Sequence, residues 1–236
     1  MREKGIVEII GHRGARALEP EYTLRAVARG LRCADRVEVD VRLSRDGVPV
    51  VIHDPAVDRT TDGRGLVREI PLPDLRRLDA GKGERIPILQ EVLDLVGHRG
   101  GVVVEAKEEE TVPQICQLLQ GYGLGDVMVV SFHASAVIEA KELLPGVATG
   151  LIVSGPEGDP VEMAIRAGAG MVLPRQDLLT EALVRHAHEK GIRVISWTIN
   201  TAEEARRAVA LGADGFATDD PCAARGWMRD IRDKPE

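Results

Sequence analysis

Aromatic side chains are scarce in this chain: Phe, Tyr and Trp occur twice each and make up 3% of 236 residues. A surface so poor in rings offers no aromatic run to seat in a bilayer. Long apolar runs are missing too, and no segment reaches membrane-spanning length. The start, MREKGIVEIIGHRG, carries a basic patch followed by only a strand-length apolar run, so it does not read as a signal peptide. The three cysteines, Cys33, Cys116 and Cys222, are far apart and form no CxxC pair, which argues against a disulfide scaffold and against a zinc site. Positive charge is in deficit, with 31 Lys and Arg against 38 Asp and Glu and a net charge of −7. With no basic face or tail, a nucleic-acid partner is not expected. A small anionic ligand remains compatible with this balance, because it responds to local charge. Asn200 is the only asparagine, which fits either a hot habitat or codon bias. These absences leave a cytoplasmic protein without integral membrane association, acting on small molecules, and they do not fix an oligomeric state.

What is present is a repeating alternation. Short Val- and Ile-rich runs occur at 6–11, 36–44, 49–54, 101–107, 126–132, 148–153, 170–174, 193–199 and 215–219. Between them lie amphipathic stretches such as TLRAVARGLRC, LQEVLDLV, TEALVRHAHEKG and TAEEARRAVALGA, several ending at glycine. Strands alternating with helices of this length predict parallel βα units. A chain of this length suits one α/β domain, a (β/α)₈ TIM barrel over 1–236. A doubly wound sheet is less consistent, since IIGHRGARALEP is not a glycine-rich phosphate loop and Gly81-Lys82-Gly83 lacks that context. Nine strand candidates are one more than a barrel needs. Residues 55–87, rich in Gly, Pro, Asp and Arg, read as an insertion at one rim of the pocket.

The stretch VEVDVRLSRDGVPVVIHD, residues 37–54, places acids and a histidine where strands should bury Val and Ile. Asp46-Gly47 predicts a two-residue hairpin turn. That register pairs Asp40 with His53, and residues two apart share a face, so Glu38, Asp40 and His53 converge. Other strand ends add His12-Arg13 and Glu105-Ala106-Lys107, and in a barrel all such ends open onto one face. One strand-end acid is ordinarily a cap or an ion-pair partner, but a constellation of this size exceeds that explanation. Three crowded carboxylates repel unless protonated or bridged by a cation. Oxygen ligands alone suit Mg²⁺ or Ca²⁺ better than zinc.

The ordered series HRG, PExT, ExD, DGxPVVIHD, DRTTDGRG, LDAG, IPxLQEVL, ExK, WTxN and TDxP, running from His12 to Pro221, resembles the glycerophosphodiester phosphodiesterases. The resemblance implies a TIM barrel with a small insertion after the HD strand. It implies metal-dependent hydrolysis of small glycerophosphodiesters to glycerol 3-phosphate and an alcohol. It makes His12 and His53 the acid–base pair, and Glu38, Asp40 and Glu105 the ligands of a divalent ion. Arg13 and Lys107 would hold the phosphate, Trp197 would wall the glycerol side, and Glu21 would lie near metal or substrate.

This chain departs from the family at PEYT, where Tyr22 replaces the usual Asn of PENT, and at Ile88 and Gln90 within the usual IPTLEE. Rival functions are a phospholipase C or D on the same barrel, acting on lysophospholipid or other phosphodiesters. Others are a non-haem iron enzyme with two histidines and one carboxylate, and a non-catalytic binding protein on a decayed barrel. The scarcity of aromatics weighs against the first. No proposed catalytic position has been lost, which weighs against the last.

Overall fold

The computed structural model describes residues 7–122, 126–155 and 158–233. Along the chain run β1 (Glu8–Gly11), α1 (Leu24–Gly30), β2 (Arg36–Leu43), β3 (Pro49–Val51), α2 (Leu72–Leu75), α3 (Leu89–Val96), β4 (Gly101–Ala106), α4 (Val112–Gln120), β5 (Val127–Ser131) and α5 (Ala134–Leu143). There follow β6 (Ala148–Val153), α6 (Pro160–Arg166), β7 (Met171–Pro174), α7 (Glu181–Glu189), β8 (Arg193–Ser196), α8 (Ala202–Ala210), β9 (Gly215–Thr218) and α9 (Pro221–Asp233). β1 pairs in parallel with both β2 and β9, which closes eight parallel strands into a barrel. The ninth strand, β3, pairs antiparallel with β2 and lies outside the ring.

Strand alternation assigns the two faces. Val37, Val39 and Val41 of β2 are fully buried and belong to the layer shared with α3 and α4. Glu38 and Asp40 have the opposite parity and point into the barrel. Their β4 register partners, Val103 and Glu105, do the same. Below them the interior is filled by Ile10, Val103, Met128, Val130, Leu173 and Ile195. Strands buried on both faces explain why the sequence shows continuous Val and Ile runs instead of clean alternation.

The expected hairpin register is wrong by one residue. Val41 faces Val51 and Leu43 faces Pro49, so Asp40 lies opposite Ile52, whose N–H donates to the Asp40 carbonyl at 3.0 Å. Three residues, Arg45 to Gly47, form the loop. Ser44 Oγ accepts from Val48 N–H at 3.0 Å, and Gly47 takes the left-handed φ of 76° that such a loop requires. His53 still reaches the site, because ladder pairing stops at Ile52 and parity no longer binds the next residue.

The cysteine expectation is also corrected. Cys33, between α1 and β2, and Cys222, in the first turn of α9, form a disulfide with Cα atoms 4.9 Å apart. Spacing arguments capture local cysteine pairs only, whereas barrel closure brings together residues separated by 189 positions. Arg225 reinforces the same seam, donating to the Cys33 carbonyl at 2.8 Å and to Asp35 at 2.8 Å. Such bonds persist in oxidising compartments and inside hyperthermophiles. For a closed loop this long, the chain-entropy account gives a stabilisation of about 5 kcal/mol. Replacing both cysteines by serine is therefore expected to lower the urea midpoint markedly, and reductant should do the same to the unmodified chain. An unchanged midpoint in both experiments would show the bond to be energetically idle.

Residues 55–87 carry an apolar cluster in which Val57, Val67, Leu75 and Ile86 pack against Val50 and Ile52 of the β2–β3 hairpin. Among the described residues no helix is long and apolar enough to cross a membrane.

Candidate active site

The carboxyl ends of the strands surround a cavity of about 350 Å³ whose lining includes His12, Arg13, Glu38, Asp40, His53, Glu105, Lys107 and Trp197. Strand position accounts for most of them. His12 directly follows β1, Glu38 and Asp40 lie on β2, Glu105 is the penultimate residue of β4 with Lys107 just beyond the strand, and Trp197 follows β8.

Glu38, Asp40 and Glu105 each offer an oxygen, and these atoms all lie within 4.8 Å of one another. Burial pushes the Glu38 carboxyl well above the usual range, and the charges of Asp40 and Glu105 push it further. Burial and the neighbouring Asp40 likewise raise Glu105, to about 8. Burial also opposes the charge on Asp40, yet Lys107 and hydrogen bonds from Glu105 and Tyr22 hold that carboxyl below its ordinary value. Lys107 Nζ lies 2.6 Å from Glu105 Oε1 and 3.4 Å from Asp40 Oδ1. The cluster is thus partly compensated by protein charge, which its sequence did not reveal. Two oxygens, Glu38 Oε1 and Asp40 Oδ1, are buried with no hydrogen-bond partner. Orphaned hard oxygens beside one another are costly unless a cation satisfies them. The group fits a metal ion.

Each histidine is oriented through its Nδ1 by an aspartate. His12 Nδ1 is 2.7 Å from Asp219 Oδ1, and His53 Nδ1 is 2.6 Å from Asp54 Oδ1. Each aspartate is in turn held by an arginine, Arg16 at 3.0 Å from Asp219 and Arg59 at 2.6 Å from Asp54. Asn200 adds a third support, donating to Asp219 Oδ2 at 2.9 Å. Both Nε2 atoms are left free of their aspartates, and that of His12 lies 4.0 Å from Glu38. Burial lowers the His53 pKa despite the Asp54 contact, which favours the neutral ring.

Arg13 takes a left-handed φ of 53°, and its N–H donates to Glu38 Oε2 at 2.8 Å. The next residue, Gly14, sits at φ 80°, where a Cβ would meet the α1 backbone at 2.6 Å. The HRG turn therefore needs its glycine on both counts. Glu21 does not line the cavity. Its carboxylate accepts from Arg13 at 3.0 Å and from Arg59 at 2.7 Å, which sets it directly behind the cavity-lining Arg13. Trp197 donates its indole N–H to the Leu173 carbonyl at 2.8 Å and meets Phe132 edge-on at 5.7 Å, forming an apolar wall.

The sequence profile of the glycerophosphoryl diester phosphodiesterase family matches residues 12–223. The chain belongs to that family. Among curated glycerophosphodiester phosphodiesterases, that of Caldanaerobacter subterraneus subsp. tengcongensis is 33% identical over 231 residues, covering 90% of this chain and 94% of the relative. The fold is similar to that of an Oleispira antarctica phosphodiesterase solved with its product sn-glycerol-3-phosphate. The TM-score is 0.89 at 30% identity, with coverage of 94% and 96%. A Thermotoga maritima glycerophosphodiester phosphodiesterase gives 0.82 at 25% identity, covering 94% of this chain and 98% of that one.

Several residues of this phosphodiesterase site escape the sequence reading. Asp219, Arg16 and Asn200 come to His12 from up to 207 positions away. Two signals pointed to Asn200 and Asp219: they fall in the WTxN and TDxP motifs, and Asp219 directly follows β9 as His12 follows β1. Asn200, the chain's sole asparagine, is set by Glu204 of α8, which accepts from its N–H at 2.7 Å. Phe132 also directly follows a strand, β5, but belongs to none of the motifs.

Proposed function

We propose that the chain hydrolyses soluble, deacylated glycerophosphodiesters to glycerol 3-phosphate and an alcohol, with Mg²⁺ or Ca²⁺ held by Glu38, Asp40 and Glu105. The observation that carries this reading is the pair of orphaned carboxylate oxygens flanked by two aspartate-held histidines inside one cavity. Such an ion, when bound, supplies positive charge against the phosphate oxygens and lowers the pKa of an oxygen it touches. Arg13 and Lys107 place further fixed charge beside the phosphate, where charge accumulates in the transition state. One histidine, through Nε2, removes the proton of the attacking oxygen, either water or the neighbouring glycerol hydroxyl, and the other delivers a proton to the departing alkoxide; after hydroxyl attack, water then opens the cyclic phosphate to glycerol 3-phosphate. Asp54 and Asp219 fix the tautomers that make this exchange possible. Trp197 and Phe132 pack on the carbon skeleton of the glycerol side. The test is release of glycerol 3-phosphate from glycerophosphocholine, with and without a chelator.

The leaving alcohol faces an open rim and makes few discriminating contacts. Glycerophosphocholine and glycerophosphoethanolamine are therefore expected to have kcat/KM values within about tenfold, a difference under about 1.4 kcal/mol. Trp197→Ala should weaken both alike. Faster cleavage of lysophospholipid in vesicles than of either deacylated compound would move the assignment to a phospholipase.

A further inference from the structure

Tyr22 stands where the resembling family has asparagine, and it does so at a cost. Its φ of 66° lies in the left-handed region, which asparagine tolerates and a bulky aromatic residue rarely adopts. Strain of this kind persists where the surroundings over-determine the residue. Here the ring is 3% exposed within the layer that holds Val27 and Val37, and the Arg13 guanidinium lies 5.4 Å from its centroid. Its hydroxyl donates to Asp40 Oδ2.

That contact completes a pattern across the three acids. Arg13 N–H occupies Glu38 Oε2, Tyr22 O–H occupies Asp40 Oδ2, and Lys107 Nζ occupies Glu105 Oε1. Glu38 Oε1 and Asp40 Oδ1 accept no hydrogen bond, although Lys107 Nζ lies 3.4 Å from the latter. Each carboxylate therefore offers one oxygen to an ion, because its other oxygen already accepts a protein hydrogen bond. Mg²⁺ takes six oxygens in strict geometry and keeps several waters, so single-oxygen carboxylates suit it. Ca²⁺ takes six to eight and gains from carboxylates that bind through both oxygens.

On the reading that Glu38, Asp40 and Glu105 bind a divalent cation, we infer that Tyr22 is a positioning residue that restricts Asp40 to one oxygen and thereby biases the site toward Mg²⁺ over Ca²⁺. Of the three hydrogen-bond donors, Tyr22 is the one whose hydroxyl can be deleted by substitution while its ring stays, with Arg13 and Lys107 untouched. Removing it frees Oδ2 for a second bond to an ion large enough to use it.

The test is titration calorimetry of the chelator-stripped full chain with MgCl₂ and, separately, with CaCl₂. Unmodified protein is expected to bind Mg²⁺ more tightly than Ca²⁺. Tyr22→Phe, which keeps the ring and its stacking on Arg13, is expected to lower the ratio of Kd for Ca²⁺ to Kd for Mg²⁺ by about tenfold, the lower end of what outer hydrogen bonds to metal ligands contribute. Tyr22→Asn suits the left-handed backbone and is too short to reach Asp40, so it gives the same readout should the phenylalanine variant not fold. The rise in Tm caused by each ion supplies a second measure that a less stable variant still reports. An equal loss of both ions, or an unchanged ratio, overturns the role of Tyr22 and leaves the metal site standing. Failure of the unmodified chain to bind either ion removes the metal site itself, and the inference with it.

Discussion

Chelator-stripped protein is expected to lose nearly all phosphodiesterase activity, roughly 10³-fold or more, and to regain it on adding a divalent salt. The magnitude follows from several kcal/mol of transition-state charge stabilisation, at about 1.4 kcal/mol per tenfold. Glu105→Gln should reproduce the loss. Without a cation, burial and Asp40 hold the Glu105 pKa near 8, so the neutral amide resembles the side chain that the fold already accommodates near pH 7. The variant is therefore expected to keep the Tm of the stripped parent while losing the Tm increase that metal confers. Full activity in excess chelator would end the metal assignment.

Replacing His12 or His53 by alanine is expected to lower kcat by roughly 10²- to 10⁴-fold, the range for a lost proton transfer. Metal affinity should change little in either variant, because neither ring contributes to the carboxylate group that gathers within 4.8 Å. Asp54→Asn and Asp219→Asn test the orientation of the rings: each should lower kcat less than loss of the histidine it holds and leave KM nearly unchanged. Abolished metal binding in a folded histidine variant would make that ring a ligand, and the two-histidine iron arrangement would then describe the site better.

The barrel was legible in the sequence because its strands are buried on both faces and announce themselves as Val and Ile runs. So was the polar cluster, since Glu38, Asp40 and Glu105 interrupt those runs, with Asp40 and Glu105 side by side and Glu38 two residues earlier on the same face. What was not legible depends on loop length or on distant pairing. A three-residue loop in place of two shifted the β3 register and left His53 in position only because pairing ended at Ile52. The supports of His12 come from the far end of the chain, and the Cys33–Cys222 bond joins residues 189 positions apart. Glu21 illustrates a different limit. Its motif places it near the site, but the pairing of its carboxylate with Arg13 and Arg59 depends on residues up to 38 positions away. The start of α9 was legible but not used: Asp220 accepts from the N–H groups of Cys222 and Ala223, and Pro221 opens the helix, an aspartate cap followed by proline.

Under mechanical load, the Cys33–Cys222 link turns most of the barrel into a shielded ring. Force applied at residues 7 and 233 passes along the chain to Cys33, through the sulfur bridge, and out from Cys222. Only the outer segments can lengthen, so at about 3.5 Å per residue the oxidised chain should extend to roughly 130 Å and then stiffen. After reduction the same handles should separate to roughly 800 Å. In an optical trap the oxidised molecule would yield β1, α1 and α9 to the pull, and once β1 has parted from β2 and β9 the remaining strands lie inside the bridged loop, off the path of the force.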